Sequence, residues 1–468
     1  MRNSDCGMRI ERQKRRYRFF VLLIRIPHSA IINMKIVLST FGSFGDVHPY
    51  VALALELKAR GHHPVIATSE IYREKVGAAG LEFHPVRPVV PSYDEPDALS
   101  RMLETMMDAR KGPEEILNTL ILPHLRDTYE DLSAAVGGAD LFMSHPLSIP
   151  APLIVEQTSV PWVSSVLAPA SMLSSYDPPV PPQLPALHKL MNLHPVFGRA
   201  VMRLGRWKSA SLLHAVNKLR ADVGLRPSGA HPLFEGQHSP TLVLALFSRV
   251  LAEPQPDWPP NTLITGFPFY DRRDRAGDDT ATGDALSPEL KHFLDAGEPP
   301  IIFTLGSAAI WVAKDFYRES IAAARSLGRR ALLLIGHERN RPAEPLPEGV
   351  AAFEYAPYGE VLPRASAVVH QGGVGTTGQA LRAGRPALVV PFSHDQFDNG
   401  ARVARLGCGR LLARPRYNAA SATRELRAIL GDENYQVNAM RVGRRVQAEH
   451  GARAACDAIE EVLQGRRG

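Results

Sequence analysis

The sequence predicts an α/β protein: two doubly wound parallel-sheet halves facing each other across a cleft. Three observations lead there. From residue 34 onward, short β-branched runs alternate with longer amphipathic ones, the pattern of parallel strands joined by crossover helices. The alternation stops at "DRRDRAGDDTATGDALS" (271–287), a charged stretch that can bury no face, and then begins again. The chain, at 468 residues, is also longer than one core normally organises. The expected divisions are a first domain over 34–270, a linker over 271–287, and a second domain over 288–468 whose last helix returns to the first.

Each element has its own warrant. "KIVLST" (35–40) reads as a strand and "PYVALALELKARG" (49–61) as a helix, with Pro49 suited to its first position and Gly61 to the residue after its last turn. "PVIATS" (64–69), "ADLFMSH" (139–145) and "PWVSSV" (161–166) are the next strands. Helices are expected near 97–111 and 114–136. The proline-rich "SYDPPVPPQLPAL" (175–187) can enter neither ladder nor helix and is expected to be an exposed loop facing substrate. "TLVLAL" (241–246) and "TLITGFP" (262–268) close the first half. In the second, "PIIFTLGS" (300–307), "RALLLIG" (330–336), "SAVVHQ" (366–371) and "PALVVPF" (386–392) are strands.

Composition excludes several classes. The net charge is +6, but residues 1–33 hold eight Lys/Arg and two Asp/Glu, so the remaining chain is formally neutral and offers no charge-based case for nucleic acid. Within that tail the apolar "FFVLLIRI" is far too short to span a bilayer. No small-residue cleavage site follows it cleanly, and Met34 stands directly before a strong strand. Residues 1–33 are expected to lie outside the fold. Cys6, Cys408 and Cys456 show no metal-ligand spacing and fit free thiols in a reducing, cytoplasmic setting.

Three turns could carry chemistry. "HQGGVGTTGQALRAGRP" (370–386) is a strand, a glycine turn and a helix N-terminus, an arrangement whose exposed N–H groups favour an anion. Thr376, Thr377 and His370 add donors; a tight turn with a threonine N-cap would look the same, and the stretch is not a Walker A sequence. One unit later, in "PFSHDQFDNGARVARLG", Ser393 and Gln396 match a capping box closed by Gly407. That leaves His394 and Asp395 unexplained, and a carboxylate beside an amide suits vicinal sugar hydroxyls. In the first half, "STFGSFGDVHPY" places Asp46 and His48 in a turn, where Asp46 either caps the next helix or faces the cleft as a base.

"MKIVLSTFGSFGDVHPYVALALELKARGHHPVIATS" and "HQGGVGTTGQALRAGRPALVVPFSHDQFDNGARV", in this order and spacing, closely resemble family 1 inverting glycosyltransferases of the two-domain GT-B fold. Within that family the chain is most similar to bacterial enzymes related to rhamnosyltransferases, sterol glucosyltransferases and antibiotic glycosyltransferases. The resemblance implies that His370, Gly372, Gly373, Gly375, Thr376 and Thr377 hold the diphosphate of a UDP- or dTDP-sugar, with Ser307 facing the same phosphates. It places Tyr355 at the nucleobase with Tyr358 nearby, and Asp395 with Gln396 on the donor sugar. It departs from plant relatives at the ribose-binding acid, near whose place stand Gly378 and Gln379. It departs again at the Gly-His-x-x-Pro turn, where Asp46 occupies the histidine's position as in antibiotic-type enzymes, with His48 as the second candidate base.

The resemblance thus implies transfer of a hexosyl group to a hydroxyl of a hydrophobic acceptor such as a lipid, sterol or polyketide, without metal or other cofactor. A transient association with the inner membrane face is a further expectation. Two other readings share these motifs: a GT-B epimerase, and a non-catalytic sugar-nucleotide-binding partner of another glycosyltransferase. A dehydrogenase using Glu70 after the second strand lacks the GxGxxG spacing.

Overall fold

Each observed strand pairing in this molecule is parallel, so every connection within a sheet is a crossover packed on one of its faces. The computed structural model describes residues 33–270, 286–342 and 345–465. Among them, the first sheet comprises β1 (Lys35–Ser39), β2 (His63–Thr68), β3 (Glu82–Pro85), β4 (Leu141–Ser144), β5 (Trp162–Val166), β6 (Leu242–Ala245) and β7 (Thr262–Ile264), in the order β3-β2-β1-β4-β5-β6-β7. The second comprises β8 (Ile301–Thr304), β9 (Ala331–Leu334), β10 (Val350–Phe353), β11 (Ala367–His370), β12 (Ala387–Val389) and β13 (Gly409–Leu411), ordered β10-β9-β8-β11-β12-β13. The chain order reverses between β1 and β4 and again between β8 and β11, the switch points beyond which such sheets place ligands.

The central strands are apolar throughout because both faces are covered. Ile36, Val37 and Leu38 of β1 and Val368 and Val369 of β11 are fully buried. Strands β3, β10 and β13, which the sequence reading does not pick out, are all sheet edges, short and only partly buried. The last helix, Gly451–Leu463, lies against the first half: Ile459 and Val462 join the core of Leu53 and Leu57, and Arg60 pairs with Asp457 and Glu460. Residues 1–32 and most of the expected linker lie outside the described residues.

Several local expectations are corrected. The first helix runs Phe44–Ala59, so Pro49 is inside it and not at its start. Ser43 and Asp46 form a capping box that sets the beginning five residues earlier; Pro49 merely lacks the N–H that would bond the Gly45 carbonyl. The expected 114–136 helix is split into Gly112–Glu115, a π-helical turn over Ile116–Ile121 and Leu125–Val136; Pro123, which has no N–H to give the preceding turn, falls in the break before the last piece. The proline-rich segment is not simply exposed. Val180 is buried and donates its N–H to Asp398, and Asp177 pairs with Arg402, so the segment is seated on the second half.

Candidate active site

Two helices point their N-termini at one turn. The Phe44–Ala59 helix begins at Ser43, and the Val374–Arg382 helix begins after the glycines that follow β11. The turn after β8 joins them. Ser307 donates its hydroxyl to Ser43 Oγ at 3.2 Å across the cleft, while a Cβ on Gly306 would lie 2.2 Å from Gln371 Nε2 and 3.1 Å from Thr376 Oγ1. Gly306 has φ +62, a conformation glycine adopts without strain. The positive dipole ends of both helices, and the N–H groups that no side chain caps at the start of the second, therefore converge on a single gap.

Asp46 lies at the third position of its helix. Its Oδ2 accepts from the Ser43 N–H at 2.7 Å and from Ser43 Oγ at 3.3 Å, which completes the capping box. The fold-back leaves no room for a side chain at residue 42: a Cβ there would sit 2.2 Å from Asp46 Oδ2, and Gly42 has φ +132. Capping consumes one oxygen and leaves the other. Oδ1 faces the cleft, 3.8 Å from Nε2 of His145. The enclosing walls desolvate the carboxyl and push it up to about 6, against the lowering by the Ser43 hydrogen bonds.

His145 is a site residue the sequence reading does not single out, although it ends the strand "ADLFMSH" at the carboxyl edge where ligands bind. Its Nδ1 accepts from the Leu147 N–H at 3.1 Å, so Nε2 carries the proton that points toward Asp46. Burial pushes its pKa down to about 3 and keeps it neutral. His48 is placed elsewhere. Two residues on, it is turned by about 200° round the helix from Asp46. It lies against Phe44 and Tyr270 with ring centroids 5.3 Å away in both cases, and burial, with Lys75 nearby, pushes it down to about 3. It does not share the face that carries Asp46.

In the second half, His370 ends β11 fully buried. Its Nδ1 accepts from the Gly372 N–H at 3.1 Å, which leaves the proton on Nε2, a buried donor without a partner in the protein. Burial pushes it down to about 4, so the group is a neutral donor. Thr377 Oγ1 is likewise buried and unpartnered. The N-cap is Gly373 rather than a threonine; Thr376 and Thr377 lie within the helix. Gly372 must be glycine for the protein's own sake: φ is +91, and a Cβ would meet Val389 at 2.7 Å and the Gln396 carbonyl at 2.8 Å. Gly375 faces open space, with nothing within 4 Å of its Cβ position. Buried donors aimed at nothing beside a glycine that only an incoming group would crowd fit a bound anion.

Asp395 stands one turn away. Its Oδ2 accepts from Asn399 Nδ2 at 2.8 Å, and the same amide donates to the Gly372 carbonyl at 2.8 Å, tying the carboxylate to the glycine turn. Asn399, four residues along one helix face, is a second member the sequence reading does not name. Burial, with Asp46 and Asp398 adding repulsion, pushes Asp395 up to about 7. Gln396 Oε1 accepts from the Phe392 and Ser393 N–H groups at 2.9 and 3.2 Å, half of the expected capping box. The other half is absent: the Gln396 N–H donates to the Ser393 carbonyl, and Ser393 Oγ donates to the Asp108 carbonyl of the first half at 3.2 Å. Between them His394 holds φ +55, an uncommon backbone state for a non-glycine residue.

The two tyrosines separate. Tyr358 is internal, its hydroxyl bonded to Thr304 Oγ1 at 2.7 Å beneath the glycine turn, whereas Tyr355 is 42% exposed at the surface of the second half. Glu70 pairs with Arg73 at the surface. Among the described residues no group of three or more His, Cys, Asp or Glu side chains could hold a metal ion.

Two parallel-sheet domains that bring an anion cradle opposite a carboxylate define a GT-B glycosyltransferase. Residues 36–171 match the glycosyltransferase family 28 N-terminal domain, and residues 321–461 match the C-terminal domain of the erythromycin biosynthesis protein CIII-like proteins. The chain belongs to the glycosyltransferase family that includes O-mycaminosyltylonolide 6-deoxyallosyltransferase of Streptomyces fradiae, to which it is 33% identical over 446 residues, 92% of this chain and 98% of that one. It is also 27% identical to the sterol 3-beta-glucosyltransferase of Neosartorya fischeri across 94% of its own length, which is 30% of that longer protein. The glycosyltransferase SsfS6 of Streptomyces sp. SF2575, complexed with thymidine diphosphate, shares the fold with a TM-score of 0.57 at 20% identity, covering 92% of this chain and all of the other.

Proposed function

We propose that this glycosyltransferase moves a hexosyl group, with inversion, from a thymidine or uridine diphosphate sugar to a hydroxyl of a hydrophobic acceptor of polyketide or sterol type. The observation that carries this reading is the Gly306–Ser307 turn, which brings the Asp46 helix and the glycine-turn helix to one gap. The thymidine nucleotide is favoured by the thymidine diphosphate bound to SsfS6, and a polyketide-like acceptor by the tylonolide relative.

The acceptor hydroxyl loses its proton to Asp46 Oδ1 while its oxygen bonds to the anomeric carbon. On the opposite face the bond from that carbon to the diphosphate oxygen breaks, and the diphosphate keeps the electron pair. Negative charge grows there, where the His370 Nε2–H, the Thr377 hydroxyl and the N–H groups of residues 373–376 await it. Donors fixed in place before the charge develops lower the barrier by several kcal/mol. A carboxylate with a pKa near 6 is a better base than an exposed one near 4, yet is ionised at neutral pH. Asp395 and Gln396 hold the sugar hydroxyls. With helix termini and neutral donors offsetting the phosphate charge, turnover proceeds without a divalent ion, and chelation by EDTA leaves the rate unchanged.

The direct experiment is a thermal-shift screen against dTDP, UDP and GDP, followed by transfer assays with the stabilising nucleotide's sugars and macrolide or sterol acceptors. A shift with dTDP or UDP and a product of inverted anomeric configuration by NMR are expected. Stabilisation by none of the nucleotides, or retention at the anomeric carbon, would refute the reading.

A further inference from the structure

The Pro195–Lys208 helix is built inside out. Its inward face carries Gly198, whose Cβ position lies 3.1 Å from Ser175, and Gly205, which meets the Phe234 ring at 3.6 Å. Its outward face carries Val196, Phe197, Leu204 and Trp207, between 41% and 73% exposed. At about 100° per residue these four side chains fall within one arc of roughly 100°. Leu193, 73% exposed, extends the apolar surface into the preceding turn. Apolar rows of this kind normally face a core, and a solvent-facing one marks a contact surface.

Charge says what covers it. Residues 178–221 contain seven Lys/Arg and no Asp or Glu, in a chain whose residues 34–468 are formally neutral. Arg206 pairs with Glu235, but among the described residues neither Arg199 nor Arg203 has an ion-pair partner. A second copy of the chain is a poor occupant, since a two-fold contact would press this acid-free, cationic surface against itself. Duplex nucleic acid turns its phosphates outward and buries the faces of its bases, so it offers no apolar surface to Val196 and Leu204. No helix among the described residues is long and apolar enough to cross a membrane. We propose that the Pro195–Lys208 helix docks the enzyme on an anionic lipid surface, with its apolar row in the headgroup boundary and Arg199 and Arg203 against the phosphates. This is a property of the surface and does not depend on the transfer reaction proposed above.

The test uses the full chain and vesicles of phosphatidylcholine, alone or equimolar with phosphatidylglycerol. Trp207 is the most exposed of the four tryptophans: Trp162 and Trp258 are buried, Trp311 is half-buried in the second half, and Trp207→Phe isolates the signal of Trp207. Brominated acyl chains in the anionic vesicles are expected to quench tryptophan fluorescence in the wild type and not in Trp207→Phe. In flotation assays Leu204→Ser/Trp207→Ser and Arg199→Gln/Arg203→Gln should each lower partitioning about tenfold or more, with added salt weakening the wild type. All these positions are exposed, and melting temperatures and donor hydrolysis should be unchanged, which separates this outcome from failure of the catalytic reading. Absence of quenching, partitioning that ignores the substitutions, or lipid-free self-association abolished by Leu204→Ser/Trp207→Ser would overturn the proposal. So would salt-sensitive capture of an acidic protein without lipid partitioning.

Discussion

Asp46 serves two purposes at once, with one oxygen closing the capping box and the other open to the cleft. Its replacement by Asn preserves the cap, since an amide oxygen can still accept from Ser43, but removes the base. Turnover should fall by ~10²–10⁴ with donor affinity, read by calorimetry, nearly unchanged. His48→Phe should keep kcat within about threefold of wild type, a change small on the scale of a lost general base, because the imidazole packs between rings away from the reacting gap. A collapse of activity in His48→Phe would reverse that assignment. The raised carboxyls also leave a mark on stability. Asp395 has a folded pKa of about 7 against an ordinary 3.8, so the folded state holds its proton longer and stability falls as pH rises through 7. Asp395→Asn should therefore melt higher at pH 8 by an amount on the order of 2 kcal/mol, melt unchanged at pH 4, and lose activity at both. Asp46 titrates near 6, where Asp395 still largely holds its proton, so the same substitution should leave the acidic limb of kcat/KM in place.

The glycine turn is where one element's conformation and its chemistry can be told apart. Gly372 is required by backbone geometry and by Val389 and Gln396 behind it, so Gly372→Ala should cost about 1–3 kcal/mol of stability. Gly375 is in a helix and faces open space. There alanine should stabilise the fold by about 0.5–1 kcal/mol and yet weaken nucleotide binding by roughly ten- to a hundredfold, the worth of a displaced charge-assisted hydrogen bond. Melting curves with and without dTDP or UDP measure both effects on one sample. Equal or tighter binding in Gly375→Ala would place the diphosphate elsewhere. The turn was legible in the sequence because glycines between a strand and a helix have few other uses. Its support was not: Asn399 and the Gly306 contact come from separate crossovers and acquire meaning only when β8, β11 and β12 are adjacent.

At the scale of the molecule, the halves are clasped by buried charge as well as by shared core. Arg402, 3% exposed, bonds Asp398 of its own helix at 2.7 Å and Asp177 of the proline-rich segment, and reaches the Leu251 carbonyl at 3.1 Å. Burial alone would push Asp177 up; Arg402 and Arg405 overcome it and hold the carboxyl below its ordinary value. Arg402→Leu strands the buried Asp398 and leaves Asp177 with Arg405 alone, and should destabilise the protein by ~3–5 kcal/mol, seen as a lower urea midpoint. Met107 of the first half completes the grip by burying itself in the core of Phe303, Ile310 and Phe392. Parallel strands could be anticipated from hydrophobic runs, whereas the switch points needed the strand order. The clasp could not, because a proline-rich loop and an Arg in an amphipathic helix look like solvent-exposed chain until the halves meet.

The sequence by itself determined the two parallel sheets, the family, and the turns that carry Asp46, His370 and Asp395. Each is a local matter of residue type and short spacing, where sterics and unpaired backbone groups leave few alternatives. Only the tertiary structure decided that His48 turns away while His145 turns in, that Asp46 adds to the proton affinity of Asp395, and that a row of leucine and tryptophan faces outward from a cationic helix. These depend on distances between residues far apart in the chain, and on which helix face the core leaves uncovered.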